Sequence, residues 1–140
     1  MSNITKIDHI GIAVQSIAEA CAFYEKGLGL AIDHVEDVRE QGVRVAFIPA
    51  GESNLELVEP LPAEEGGIDS PIARFLEKRG EGIHHICLEV QDIEAVLAQL
   101  VAEGFRVLDK TPRLGAHGKR IAFLHPASAH GVLIELAEKS

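Results

Sequence analysis

Cysteine is scarce in this sequence. Cys21 and Cys87 are the two it holds, and neither belongs to a CxxC pair. That excludes a disulfide-stapled scaffold and predicts two buried thiols in a reducing compartment. Long apolar runs are missing as well: no stretch approaches the roughly 18 apolar residues of a membrane-spanning helix. The opening MSNITKIDHIGIAV has no basic leader before an apolar run, so it is expected to cap a first strand rather than act as a signal peptide. Concentrated positive charge is absent too. The net charge is −9, and basic residues form only short runs such as Lys119-Arg120. Nucleic-acid binding draws its affinity from clustered Lys and Arg, so that partner is not expected. The expected setting is cytoplasmic, with neither a membrane nor a nucleic acid as partner. An anionic ligand would need a local basic patch to offset the repulsion.

The familiar short motifs are also missing. There is no HExxH, no EF-hand loop and no nucleophile-elbow context around Ser53 or Ser128. Gly115 to Arg120 (GAHGKR) is a glycine-flanked basic turn without the GxxxxGK[ST] spacing of a phosphate loop. It reads either as a hairpin tip or as a loop that touches an anionic substrate.

What the chain does contain is a copy of itself. IDHIGIAVQSI (Ile7 to Ile17) matches IHHICLEVQDI (Ile83 to Ile93) 76 positions later, at six of eleven places. At the same offset RVAFI (Arg44 to Ile48) meets RIAFL (Arg120 to Leu124), and Asp33 meets Asp109. LEL (Leu55 to Leu57) meets IEL (Ile134 to Leu136) at an offset of 79. The three extra residues fall in the last loop, where insertions are well tolerated. Each copy reads as a strand, a helix and two or three strands. Ser16, with Glu19 three residues on, is a capping box for the first helix, which is expected to run to about Lys26. Asp92 caps the second. Strands are expected around 31–38, 43–49 and 54–59, and around 106–109, 119–124 and 131–137. Between the copies, Ser70-Pro71 opens a linker helix that stops at Gly80. The predicted fold is therefore α+β: two βαβββ repeats forming a mixed, open-barrel sheet cleft with a short linker helix. It is read as a single domain over 1–140, with repeat one about 4–61, the linker helix 70–80 and repeat two about 82–138. With 140 residues, 46% of them hydrophobic, such a domain can bury a core.

Strand alternation then places the chemistry. Ile10, Ile12 and Val14 share the face that packs on the helix, so His9 lies on the other. In the matching strand His85, Cys87 and Glu89 share a face, while His84 sits opposite and reads as a core or edge histidine. Glu56 and Glu135 each stand between two apolar neighbours. Singly, either would pass for the solvent face of a strand. The repeat changes that: each copy carries one His in its first strand and one Glu in its last. If an approximate twofold axis relates the copies, His9, Glu56, His85 and Glu135 converge as a mixed N/O set suited to one divalent ion such as Zn²⁺, Co²⁺, Ni²⁺ or Mn²⁺. His34, His117 and His130 fall in loops or edges and read as exposed. His125-Pro126 opens a turn.

These residues resemble the vicinal oxygen chelate superfamily of glyoxalases, extradiol dioxygenases and fosfomycin-resistance proteins. The closer similarity is to the methylmalonyl-CoA epimerase family. It is carried by DHIGIAV, FYEKGLGL, LELVEPL, DSPIARFLEKRGEGIHHICLEVQDI and LGAHGKRIAFLHP followed by GVLIEL. The resemblance implies epimerisation of (2R)- and (2S)-methylmalonyl-CoA by 1,1-proton transfer through a metal-stabilised enolate. It implies one divalent metal, Co²⁺ before Zn²⁺, Ni²⁺ or Mn²⁺, on His9, Glu56, His85 and Glu135, with Glu135 also the acid/base residue. An acyl-CoA substrate and a homodimer follow from the same likeness, and Lys119 and Arg120 are the cations expected to meet the CoA phosphates. Val45 stands where some relatives carry a second acid, so the second proton-transfer group is unassigned. The alternatives are another metal-dependent enzyme of the superfamily, such as a glyoxalase-like lyase or a dioxygenase, and a non-catalytic small-molecule-binding protein.

Overall fold

The computed structural model describes residues 3–140. Met1 and Ser2, which the reading of the N-terminus included, lie outside the described residues. The chain forms two compact units. The N-terminal unit is Ile10–His84; the C-terminal unit joins the segment ending at His9 to His85–Ser140. Strand β1 (Ile4–Ala13) therefore starts in one unit and ends in the other.

In the N-terminal unit β1 leads into α1 (Ile17–Cys21), then β2 (His34–Val38), β3 (Val43–Ala50), β4 (Ser53–Pro60) and α2 (Pro71–Arg79). Its strand order is β2-β3-β4-β1. The Ser16 hydroxyl accepts from the Glu19 amide at 3.2 Å and starts α1 as the capping pattern predicts. The expected helix to Lys26 is only partly α. From Ala22 to Gly27 it widens into a π-helical turn, with the Leu28 amide donating to the Phe23 carbonyl at 2.9 Å. The wider turn keeps Tyr24 packed on the core while Phe23 stays exposed. Ser70 caps α2 through the Ala73 amide with Pro71 in the first turn, and Gly80, at φ 77°, closes it.

The C-terminal unit runs β5 (Gly82–Val90), α3 (Ile93–Ala102), β6 (Arg113–Leu114), β7 (Arg120–Leu124) and β8 (Ile134–Glu138). Its order is β1-β5-β8-β7-β6, with β8 parallel to β5 and antiparallel to β7. Asp92 caps α3 through the Ala95 amide at 3.1 Å. The strand expected at 106–109 is reduced to one bridge, Val107 to Leu124. The reason is local. Beside β7 the Asp109 carboxylate, not a backbone carbonyl, accepts from the Phe123 amide at 2.8 Å, so the ladder stops there and resumes as β6. The last strand starts at Ile134 rather than 131 because His130 and Gly131 turn with positive φ, 57° and 102°.

The α+β class and the double βαβββ pattern are what the chain adopts. The repeat is visible in the packing itself. Val14, Ile17, Cys21, Ala46, Ile48 and Leu57 form the core of the N-terminal unit. Val90, Ile93, Leu97, Ala122, Leu124 and Leu136 form that of the C-terminal unit. The first five pairs stand at the 76-residue offset and the last at 79, so every core residue has its counterpart. Backbone contacts repeat too: Asp33 donates to the Phe47 carbonyl at 2.8 Å and Asp109 to that of Phe123 at 3.1 Å. Among the described residues, no helix is long and apolar enough to cross a membrane.

Candidate functional site

The sheet face away from α3 carries the chemistry of the C-terminal unit. Parallel pairing sets Glu135 of β8 opposite Cys87 of β5, and antiparallel pairing sets Phe123 of β7 opposite Glu135. His85 stands two residues before Cys87, on the same face. β1 lies beside β5 and brings His9. The two imidazoles meet through their Nε2 atoms at 3.0 Å, rings nearly perpendicular at 87°. Both Nε2 atoms reach the same carboxylate oxygen, Oε1 of Glu135, at 3.2 Å from His9 and 3.1 Å from His85. All three residues are buried, with relative exposures of 6–7%, so water competes little for their polar atoms.

Glu56 is the fourth predicted ligand. It is buried on β4 of the N-terminal unit, opposite Phe47 of β3, and Val45 and Val58 pair two residues further along. Val45 is buried, and its side chain offers no proton.

Electrostatics separates the groups of the C-terminal cluster. Burial alone would raise the Glu135 carboxyl, but hydrogen bonds and charge from His85 and His9 overcome it and hold it at about 2. Burial pushes the Cys87 thiol up to about 12, against a smaller opposing hydrogen bond from His9. Cys87 is thus a neutral wall of the site, not a nucleophile. Asp8 is held below the usual carboxylate range, first by the hydrogen bond from His9 and despite burial.

The remaining expectations sort by face. Lys119 lies on the site side, with Nζ 3.8 Å from Oδ1 of Asp8. Arg120 is engaged on the helix side, at 3.2 Å from both Glu94 of α3 and Glu138 of β8. Glu138 also accepts from the Ile93 amide at the start of α3. His84 sets its ring against Phe75 at 5.0 Å, as its position on the opposite strand face implies. His34 stacks on Phe47, and His125 accepts from the Ala127 amide to open a turn. Alternation along β1 gives no hint of Asp8. It directs Asp8 and His9 to opposite faces, yet the Asp8 carboxylate meets Nδ1 of His9 at 2.8 Å. Arg113, 5.4 Å above the Phe123 ring, lies in a strand the hydrophobic pattern does not reveal.

Comparison with known proteins identifies the family. Residues 8–123 match the model of the Glyoxalase/Bleomycin resistance protein/Dioxygenase superfamily. The ethylmalonyl-CoA/methylmalonyl-CoA epimerase of Cereibacter sphaeroides is 43% identical, over 96% of this chain and 98% of that one. Among solved structures, methylmalonyl-CoA epimerase from Mycobacterium tuberculosis superposes with a TM-score of 0.91 at 38% identity, covering 100% of this chain and 91% of that one. A methylmalonyl-CoA epimerase in complex with methylmalonyl-CoA and NH4+ gives 0.89 at 40% identity, covering 98% and 96%.

Proposed function

The chain belongs to the Glyoxalase/Bleomycin resistance protein/Dioxygenase superfamily and, within it, to the methylmalonyl-CoA epimerase family, and from that membership we propose that it interconverts (2R)- and (2S)-methylmalonyl-CoA by moving the C2 proton. The observation that carries this reading is the buried convergence of His9, His85 and Glu135, one carboxylate gripped by two imidazoles. Their ligand atoms lie within 4.8 Å of one another. Two imidazole nitrogens and a carboxylate oxygen, shut away from solvent, fit one divalent ion, with Glu56 as the fourth ligand in the proposal. Such an ion, when bound, supplies Lewis-acid stabilisation of the negative charge that develops on the thioester oxygen as the C2 proton leaves.

The chain's own residues handle the proton. Glu135 is the acid/base group. Both imidazoles converge on its Oε1, which leaves its other oxygen to meet a proton on carbon. At about 2 its carboxyl is too acidic for that work. The hydrogen bonds from His85 and His9 that hold it there need protons on both Nε2 atoms; once those nitrogens turn their lone pairs to an ion, burial is what remains of these influences, and it favours the proton-bearing form. Inversion also requires delivery to the opposite face of a planar carbanion. Val45 cannot do this, so the second delivery falls to another group or a relay. Lys119 is the cation assigned to the anionic substrate, since Arg120 is engaged by Glu94 and Glu138. The test is incubation of the metal-loaded chain with methylmalonyl-CoA in D₂O. Deuterium at C2 together with inversion is the expected result; inversion or turnover without solvent deuterium at C2 rejects the mechanism.

A further inference from the structure

An imidazole can ligate through either nitrogen, and the one left available is set by what the other one bonds. In His9 the choice is visible. Nδ1 lies 2.8 Å from Oδ2 of Asp8, while Nε2 faces His85 and Glu135 at 3.0 and 3.2 Å. A carboxylate only accepts, so Nδ1 is held as a protonated edge, which leaves Nε2 as the nitrogen able to turn a lone pair to an ion. Asp8 is itself partly buried, with its side chain 15% exposed, and its other oxygen is tied from a second direction. Lys119 ends a tight turn in which the Gly115 amide donates to the Lys119 carbonyl at 2.9 Å. His117 and Gly118 take positive φ there, 61° and 67°. A side chain at Gly115 would start 2.8 Å from Ile121 Cδ1, so the turn is pressed against β7. It delivers the Lys119 ammonium to 3.8 Å from Oδ1 of Asp8, the distance of an ion pair rather than a hydrogen bond.

Resting on the reading of His9, His85 and Glu135 as a metal centre, we propose that Asp8 is the positioning residue of that centre, fixing the tautomer and ring orientation of His9 so that Nε2 is the nitrogen presented to the ion. The role needs an acceptor at Nδ1. It therefore separates Asp8→Asn, which keeps an oxygen there, from Asp8→Ala, which does not. Carboxylate partners of ligating histidines typically contribute about 10- to 100-fold in metal affinity.

The test is a competition titration of Zn²⁺ and Co²⁺ against a chelator, on the full chain and both variants, with the Co²⁺ absorption spectrum as a record of ligand geometry. Asp8→Ala is expected to lose about 10- to 100-fold in affinity and to alter the Co²⁺ spectrum. Asp8→Asn is expected to recover most of both. An Asp8→Ala chain that binds as tightly as the unaltered one, with an unchanged spectrum, overturns the proposal. So does an Asp8→Asn chain as weak as Asp8→Ala. Should the variants fail to fold, the Zn²⁺-loaded unaltered chain decides alone. Its histidine ring NMR is expected to show His9 with a proton on Nδ1 and the ion on Nε2, and the reverse assignment overturns the idea. An unaltered chain that holds neither ion sinks the metal reading itself. One that holds them with Asp8 irrelevant sinks only this inference.

Discussion

The two units repeat one core pattern and differ in what lies across the sheet from it. Behind the sheet the match is residue for residue, from Val14 and Val90 to Leu57 and Leu136. On the other face the counterparts diverge. Phe47 stacks on His34 at 4.5 Å, whereas Phe123 sits 5.9 Å from His85 with Arg113 over its ring. Val45 corresponds to Ile121, and Gly11 to Cys87. One unit gathers two histidines and a glutamate, because β1 delivers His9 to the strands that hold His85 and Glu135. A duplicated fold keeps the face that makes it stable and specialises the face that does not.

The sharpest way to break this comparison is to exchange the equivalent carboxylates. Glu135→Gln is expected to lower the rate of C2 deuterium exchange by about 10³-fold, since it removes a proton-transfer group. Glu56→Gln keeps an oxygen donor at the corresponding position and is expected to cost far less. Equal losses would mean the units are not specialised as described. The cores should behave in the opposite way. Leu57→Ala and Leu136→Ala each remove a fully buried side chain and are each expected to cost about 2–5 kcal/mol in urea denaturation. A large inequality would show that one core matters more.

Metal removal comes next. If the chain holds an ion at a hundred times its dissociation constant, chelation lowers unfolding free energy by about 2.7 kcal/mol, readable as a fall in Tm. Acid sharpens the same contrast in the metal-free chain. The Glu135 carboxyl is depressed from 4.5 to about 2, so its stabilising contribution is fully present above 4.5 and is lost as pH falls through about 2. The stability gap between the unaltered chain and Glu135→Gln is therefore expected to narrow over that interval. The smallest effect is on the thiols. Cys87 is pushed up to about 12 and is fully buried, and burial also raises Cys21. Neither is expected to alkylate at pH 8 in the folded chain, and both are expected to do so in denaturant.

The repeat made most of this readable beforehand. Most core positions, the caps and the paired histidines His9 and His85 recur at one offset, and a side chain that recurs with its neighbours reports a shared environment. Elements set by a single contact were not readable in this way. The strand expected at 106–109 gave way to a bridge because the Asp109 side chain entered the ladder, which periodicity does not register. The π-helical turn after Cys21, which leaves Tyr24 packed on the core, has no signal in the hydrophobic period of the sequence. Arg120 shares with Lys119 the sign of its charge but not its strand face, and a neighbouring pair of cations looks alike until the register is fixed. Asp8 stayed hidden for a related reason, since alternation describes where a side chain leaves the backbone and not where its end arrives.

The division of β1 between the units has a consequence for synthesis on the ribosome. Ile10–His84 is a continuous stretch that can collapse as soon as it emerges. The other unit cannot, because Thr5 binds Glu89 across 84 residues and Glu135 arrives only with the last strand. Such distant pairings are slow to close. A nascent chain that has reached His84 therefore has one half able to collapse and an N-terminal strand end still unpaired, with His9 waiting for partners encoded further along.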